Sequence, residues 1–201
     1  MMKRKVLIAL AMLPWLAACA QAGKPQTDRE LKGMGMVVVY NLAADASEKI
    51  GVKALTDAGN ELFGPGILNH RNGGESSSGG GNMSFPRWVR VTWRDGVDDA
   101  KGLYWTTGKV VGDYKVEVLN RIPEEIFNYA AAARGRAIVL RFRLKDNGVL
   151  LAWDVQETLP IPGCKAGEVA SCTAFHYTMH GGDFLDAKMY NGKLVDPGWE
   201  K

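Results

Sequence analysis

The chain has 201 residues, with 25 lysines and arginines against 22 aspartates and glutamates, for a formal net charge of +3. Three of the basic residues, Lys3, Arg4 and Lys5, precede an N-terminal apolar run, and without residues 1–18 the balance is 22 to 22. This balance excludes a global electrostatic case for binding nucleic acid or an anionic lipid surface. The length beyond that run suits one domain, burying roughly 70% of its unfolded surface.

Residues 6–18 carry no charge and number thirteen, short of the about 20 apolar residues that a membrane-spanning helix needs. A basic start, a short apolar stretch and small residues at its end describe a secretory signal. Leu16-Ala17-Ala18-Cys19 resembles the bacterial lipobox, in which the cysteine is lipidated and becomes the new N-terminus. The expectation is a lipoprotein signal peptide over 1–18, a lipidated tether over 19–34 and a single β-rich periplasmic domain over 35–201. Palmitate-type acyl chains on Cys19 would hold the protein to the membrane at roughly 0.8 kcal/mol per buried methylene. Ala20, rather than an aspartate, after the cysteine leans towards the outer membrane. The alternative is an ordinary signal that leaves Cys19 as a thiol.

Beyond the polar tether, MVVVYNL at 36–42 reads as a β-branched strand and KIGVKAL at 49–55 as a candidate second. The glycine- and serine-rich stretch 69–85 reads as a loop. In RWVRVTWR at 87–94, Val89, Val91 and Trp93 share one face, while Trp88, Arg90, Thr92 and Arg94 share the other. Residues 102–110 and 113–120 continue the strand pattern. PEEIFNYAAAARG at 123–135 breaks it. Pro123 suits the first helical position, Glu124 and Glu125 suit the positive end, and Gly135 suits the stop. Ile126, Phe127, Ala130 and Ala133 form its apolar stripe.

Residues 136–145 and 149–157 make a hairpin about Asn147-Gly148, a pair that tolerates positive φ. A strand at 174–180 and a second Asn-Gly hairpin at 187–196 follow. Many short strands with one helix predict an α+β, mainly antiparallel β, sandwich-like domain.

Few residues form a pattern that points to chemistry. The Gly/Ser run lacks the Lys-Ser/Thr and helix start of a phosphate loop, and Ser76, Ser77 and Ser78 lack a nucleophile elbow. His176, His180 and Asp183 could ligate zinc if the histidines, four apart on a strand, share a face. A fourth ligand and a general base are missing. His70 is isolated. No catalytic residue, cofactor or metal is therefore assigned, and an enzyme is not expected. Arg141, Arg143 and Lys145 share a strand face that reads as solvated, with Leu140, Phe142 and Leu144 behind it. Of the three cysteines, Cys164 and Cys172 flank a short polar loop. In an oxidising compartment they are expected to form a disulfide, stabilising by roughly 2–3 kcal/mol.

The lipobox, the glycines 79–81, the Pro-x-Trp-x-x-Val-x-Trp strand at 86–93, IPEEIFNYA at 122–130 and GVLLAWDV at 148–155 together resemble small uncharacterised lipoproteins of Gram-negative bacteria. Members of these families are often encoded beside type VI secreted phospholipase effectors and are taken to be their immunity proteins. NMSFP follows the glycines where such relatives carry adjacent cysteines. The resemblance implies a protein partner, a secreted phospholipase-type effector, neutralised by occlusion. On that reading the contact region is Trp88, Arg90 and Arg94 with the glycines Gly73, Gly79, Gly80 and Gly81, since tryptophan and arginine are enriched at binding hot spots. The alternatives are a structural envelope lipoprotein and a small metal-dependent or serine hydrolase.

Overall fold

The computed structural model describes residues 29–31, 34–71, 73–78, 84–96, 108–165, 172–184, 188–190 and 193–195. The elements run β1 (Gly35–Leu42), β2 (Lys49–Thr56), β3 (Glu61–Leu68), β4 (Gly74–Ser78), β5 (Trp88–Arg94), β6 (Val110–Glu117), α1 (Glu124–Ala131), β7 (Arg136–Lys145), β8 (Gly148–Pro160), β9 (Thr173–Gly182), β10 (Lys188–Tyr190) and β11 (Lys193–Val195).

Two sheets enclose the core. One has the order β4-β1-β7-β8-β9 and the other β3-β2-β5-β6, while β10 and β11 pair as a separate hairpin. Only β1 and β7 run parallel in the larger sheet; its other pairs, and all pairs of the smaller one, are antiparallel. The fold is thus the expected largely antiparallel sandwich with one short helix.

Period-2 alternation explains why the sheets face each other. Met36, Val38, Tyr40 and Leu42 of β1 are buried, as are Val89, Val91 and Trp93 of β5 and Ile138, Leu140, Phe142 and Leu144 of β7. Tyr40 stacks on Phe142 with ring centroids 5.3 Å apart. The helix closes one end of the sandwich, burying Ile126, Phe127 and Ala130. Phe127 meets Phe85 edge-on at 5.0 Å.

Several expectations change. Residues 69–85 are not one loop, because Gly74–Ser78 pairs with β1 from Met36↔Ser78 to Tyr40↔Gly74. The ladder is supplied by a strongly β-forming neighbour, so a glycine- and serine-rich segment can serve as an edge. A strand at 61–68 also forms, although Gly64, Pro65 and Gly66 read as breakers. It is an edge strand with register shifts, where such residues are tolerated. Gly64 has φ +116°, and a Cβ there would meet the Val52 carbonyl oxygen at 2.4 Å.

The helix is shorter than its apolar stripe suggested. Pro123 is its N-cap with ψ 147°, and the C-cap is Ala132. Ala133 is exposed, and Gly135, at φ +83°, turns the chain into β7. The β7–β8 turn is made by Asp146 and Asn147 between Lys145↔Gly148. Neither Asn147 nor Gly148 takes a positive φ. Within the expected tether, Leu31 and Met34 are buried in the core. Residues 102–107 of an expected strand lie outside the described residues.

Candidate functional site

On the outward face of the smaller sheet, β5 alternates buried valines with Trp88, Arg90, Thr92 and Arg94. Arg90 Nε donates to Asp113 Oδ1 at 2.7 Å across the β5–β6 pair, and a second bond joins Nη2 to Oδ2. That fork holds the Asp113 carboxyl below its ordinary range, chiefly through the side-chain hydrogen bond from Arg90. Lys115 lies 5.0 Å from the Trp88 ring centroid and pairs with Glu117 at 3.0 Å. Lys53 of β2 pairs with Glu61 of β3 at 2.9 Å. Arg94 is spent differently, since its guanidinium donates to the Gly108 carbonyl. The result is an exposed charged and aromatic surface on rigid strands, its side chains oriented by one another.

The expected contact residues divide accordingly. Trp88, Arg90 and Arg94 are brought together on β5. Gly73 belongs to the larger sheet, at the entry to β4, where a Cβ would meet the Tyr40 carbonyl oxygen at 2.9 Å. Gly79, Gly80, Gly81 and Cys19 lie outside the described residues.

A different cluster lies on the outward face of the larger sheet. Arg141 Nε donates to Asp154 Oδ2 at 2.7 Å, and His180 Nδ1 stands 3.7 Å from the same oxygen. The Arg141 guanidinium sits 5.2 Å from the Tyr177 ring centroid. Partial burial raises the Tyr177 phenol, and Arg141 opposes the shift. Arg143 is buried, 4.0 Å from the Phe184 ring centroid and 3.4 Å from Asn41 Oδ1. This face is therefore not the simple solvated surface that its arginine–leucine alternation suggested. The cue in the sequence is a lone acid, Asp154, within the apolar run of β8.

The two histidines do not share a face. His176 is opposite Glu157 on β8, on the side of the sheet that carries Val155, while His180 approaches Asp154 on the other side. A register shift between Trp153 and Val155 inserts the change of phase, and Met179 takes φ 57° there. Asp183 is committed elsewhere: it accepts from Arg121 at 2.5 Å and from the Leu151 amide at 2.8 Å. The expected His–His–Asp set is thus separated. Among the described residues no group of three His, Cys, Asp or Glu side chains could hold a metal.

One further constellation carries hydroxyl, amine and carboxylate together. The buried Lys49 donates from Nζ to the Ser47 carbonyl and to Ser47 Oγ, each at 2.9 Å, and also to Asp146. Ser47 Oγ donates to Asp146 Oδ1 at 2.7 Å. The lysine is a donor to the hydroxyl here, not an acceptor of its proton, so the geometry is that of a clasp between the β1–β2 and β7–β8 connections. These bonds hold the Asp146 carboxyl well below the carboxylate range, those from Lys49 and then Ser47 contributing most.

Cys164 and Cys172 are joined by a disulfide with Cα atoms 5.5 Å apart. Among the described residues no helix is long and apolar enough to cross a membrane. No protein-family model, no curated protein and no solved structure matches the chain.

Proposed function

We propose that this chain is a periplasmic lipoprotein, anchored through Cys19 and built to bind a protein rather than to catalyse a reaction. The partner is a secreted type VI phospholipase-type effector, which the protein neutralises by covering its catalytic entrance. Four features support the reading. Residues 3–19 have the order of a lipoprotein signal. The Cys164–Cys172 disulfide fits an oxidising compartment. The resemblance described above supplies the class of partner. The observation that carries a binding role is the outward face of β5 and β6, where Arg90, Asp113, Lys115 and Trp88 orient one another on a rigid sheet while remaining accessible. A surface ordered before the encounter loses less side-chain entropy on binding. Lipidation would concentrate the inhibitor at the membrane that such an effector attacks.

The test is rescue of growth. Neighbouring effector genes are expressed in the periplasm with and without this chain, and restored growth is the expected result. Failure to rescue any of them, with an envelope component co-purifying instead, would move the protein to the structural class.

A further inference from the structure

We propose that the disulfide-joined end of the β8–β9 pair, through Leu159, Ile161 and Phe175, docks on the bilayer that holds the lipidated N-terminus. The inference rests on the lipid-anchor reading and goes beyond it, because a tether alone leaves the orientation of the domain open.

That end of the pair projects from the sandwich. Thr158, Leu159 and Pro160 at the end of β8 are exposed in succession, as are residues 173–177 at the start of β9. Successive strand residues point to opposite faces, so both faces of this segment are open. Its apolar content is concentrated at the same place. Leu159 is 44% exposed, Ile161 40% and Phe175 62%, which makes three of the seven large hydrophobics exposed among the described residues, while Tyr177 stands at the base beside Arg141. The disulfide ties the two strands just beyond these side chains, with Ile161 N bonded to the Cys172 carbonyl at 2.8 Å. At the base, Glu157 accepts from Tyr129 Oη and pairs with Arg136, both at 2.7 Å. The arm is therefore fixed at both ends.

The chain enters the domain at the same end. Arg29 pairs with Glu124 in the first turn of α1, its guanidinium 4.3 Å from the Phe127 ring centroid. Just past the other end of α1, the Gly135 carbonyl accepts from the Thr158 amide at 3.1 Å, at the root of the arm. An eight-residue helix is about 12 Å long, so entry point and arm lie about one helix length apart. Cys19 and Arg29 are ten positions apart, and a chain of that length spans at most about 35 Å. From the Glu157↔His176 pair to Ile161 the arm extends by about 13 Å. The anchor and the apolar end can therefore meet one bilayer together.

The composition of the arm also selects the occupant. Its described residues, 158–165 and 172–177, contain one lysine, one histidine and no carboxylate side chain, so attraction to charged headgroups is not its means of binding. Pro160 and Pro162 lack the amide donors that an added partner strand would need. Two aliphatic side chains beside a phenylalanine suit the boundary between acyl chains and headgroups.

The test uses the full-length lipidated protein, reconstituted in phosphatidylethanolamine–phosphatidylglycerol vesicles doped with a diazirine phospholipid. Photolabel is expected on peptides carrying Leu159, Ile161 and Phe175, and labelling is expected to persist at high salt. The triple variant Leu159→Ser, Ile161→Ser, Phe175→Ser should lose about tenfold of that label, a factor equivalent to a small transfer free energy. A non-reducing gel for the disulfide and near-ultraviolet circular dichroism check its fold. Phe175→Trp is the second variant, and its emission should shift to the blue on vesicles. Label confined to the N-terminal peptide, with no blue shift in the Phe175→Trp variant, would overturn the docking while leaving the lipid anchor intact. Absence of fatty-acid label at Cys19 in cells would instead remove the anchor reading. An arm protected only when a protein partner is added would assign it to that partner and end the bilayer proposal.

Discussion

Arg90 and Arg141 occupy strands of similar sequence, each alternating arginine with apolar residues, and each arginine forms an ion pair across a strand pair. Their surroundings differ. The Arg90 and Asp113 side chains are 55% and 43% exposed, whereas those of Arg141 and Asp154 are 13% and 3% exposed. The cause is what lies beside them. On the smaller sheet, β6 is the edge, and its outward Asp113 and Lys115 stay exposed beside Arg90. On the larger sheet, β9 brings Tyr177 and His180 over Arg141 and Asp154, and the chain beyond it brings Phe184 over Arg143. One alternating pattern thus yields an accessible surface on one sheet and a buried structural pair on the other.

The sharpest break in that comparison is Asp154→Leu. It leaves the Arg141 guanidinium buried without its carboxylate, and removing one partner of a buried pair costs about 3–5 kcal/mol. Urea denaturation should show a loss of that size. The double variant Arg141→Met, Asp154→Leu should recover most of it, because an apolar pair needs no compensation. If both variants lose equal amounts, the pair is not what the single substitution disturbs.

The next effect is smaller and belongs to the arm of the same sheet. Replacing Cys164 and Cys172 with alanine opens a short loop, and the chain-entropy model assigns such a closure about 2.5 kcal/mol. The loss should appear first as faster amide exchange over residues 173–177 rather than in the core. Uniform acceleration across both sheets would mean that the disulfide holds the whole sandwich.

Much of this architecture was legible from alternation. The strands at 36–42, 87–94, 136–145 and 149–157 form where they were expected, and the inward residues that alternation named, Val89, Val91 and Trp93 with Leu140, Phe142 and Leu144, are buried. Of the four edge strands, β6 and β9 formed where strands were expected, but β3 and β4 were not legible. Glu61–Leu68 contains Gly-Pro-Gly, and Gly74–Ser78 is a glycine, a glutamate and three serines, because an edge takes its hydrogen bonds from a neighbour and needs few apolar side chains. The bulge at Met179 was equally silent, since nothing in AFHYTMHGG marks a methionine for positive φ. That one shift in phase separated the histidines. Trp88, Arg90 and Arg94 share the outward face of one strand, as their spacing in the sequence indicates. Their partners Asp113 and Lys115 were missed because cross-strand register depends on tertiary pairing.

A pH titration distinguishes the clasp from either face. The Asp146 carboxyl is held below its ordinary range by Lys49 and Ser47. A depressed folded-state value means that its contribution is complete above the unfolded value of about 4 and fades as pH falls below it. Asp146→Asn should therefore flatten the acid side of the stability profile and leave the profile near neutral pH parallel to that of the parent. An unchanged acid limb would assign that limb to other carboxylates, Glu157 among them, whose value is lowered chiefly by the Tyr129 hydroxyl.

The smallest expected effect on stability carries the largest functional weight. Asp113→Ala and Arg90→Ala each break an exposed pair, and solvent screening leaves such pairs with little net worth. The denaturation midpoint should stay where it is, in contrast to the Asp154 variant. Binding should respond differently. Arg90→Glu with Arg94→Glu reverses two charges on the outward face of β5, and an effector that docks there should associate more slowly and show a weaker dependence on salt. Because Arg94 also bonds the Gly108 carbonyl, Arg90→Glu alone is the cleaner probe, since it disturbs the face without releasing that contact. Unchanged affinity for both variants, measured on folded protein, would move the recognition surface away from this sheet.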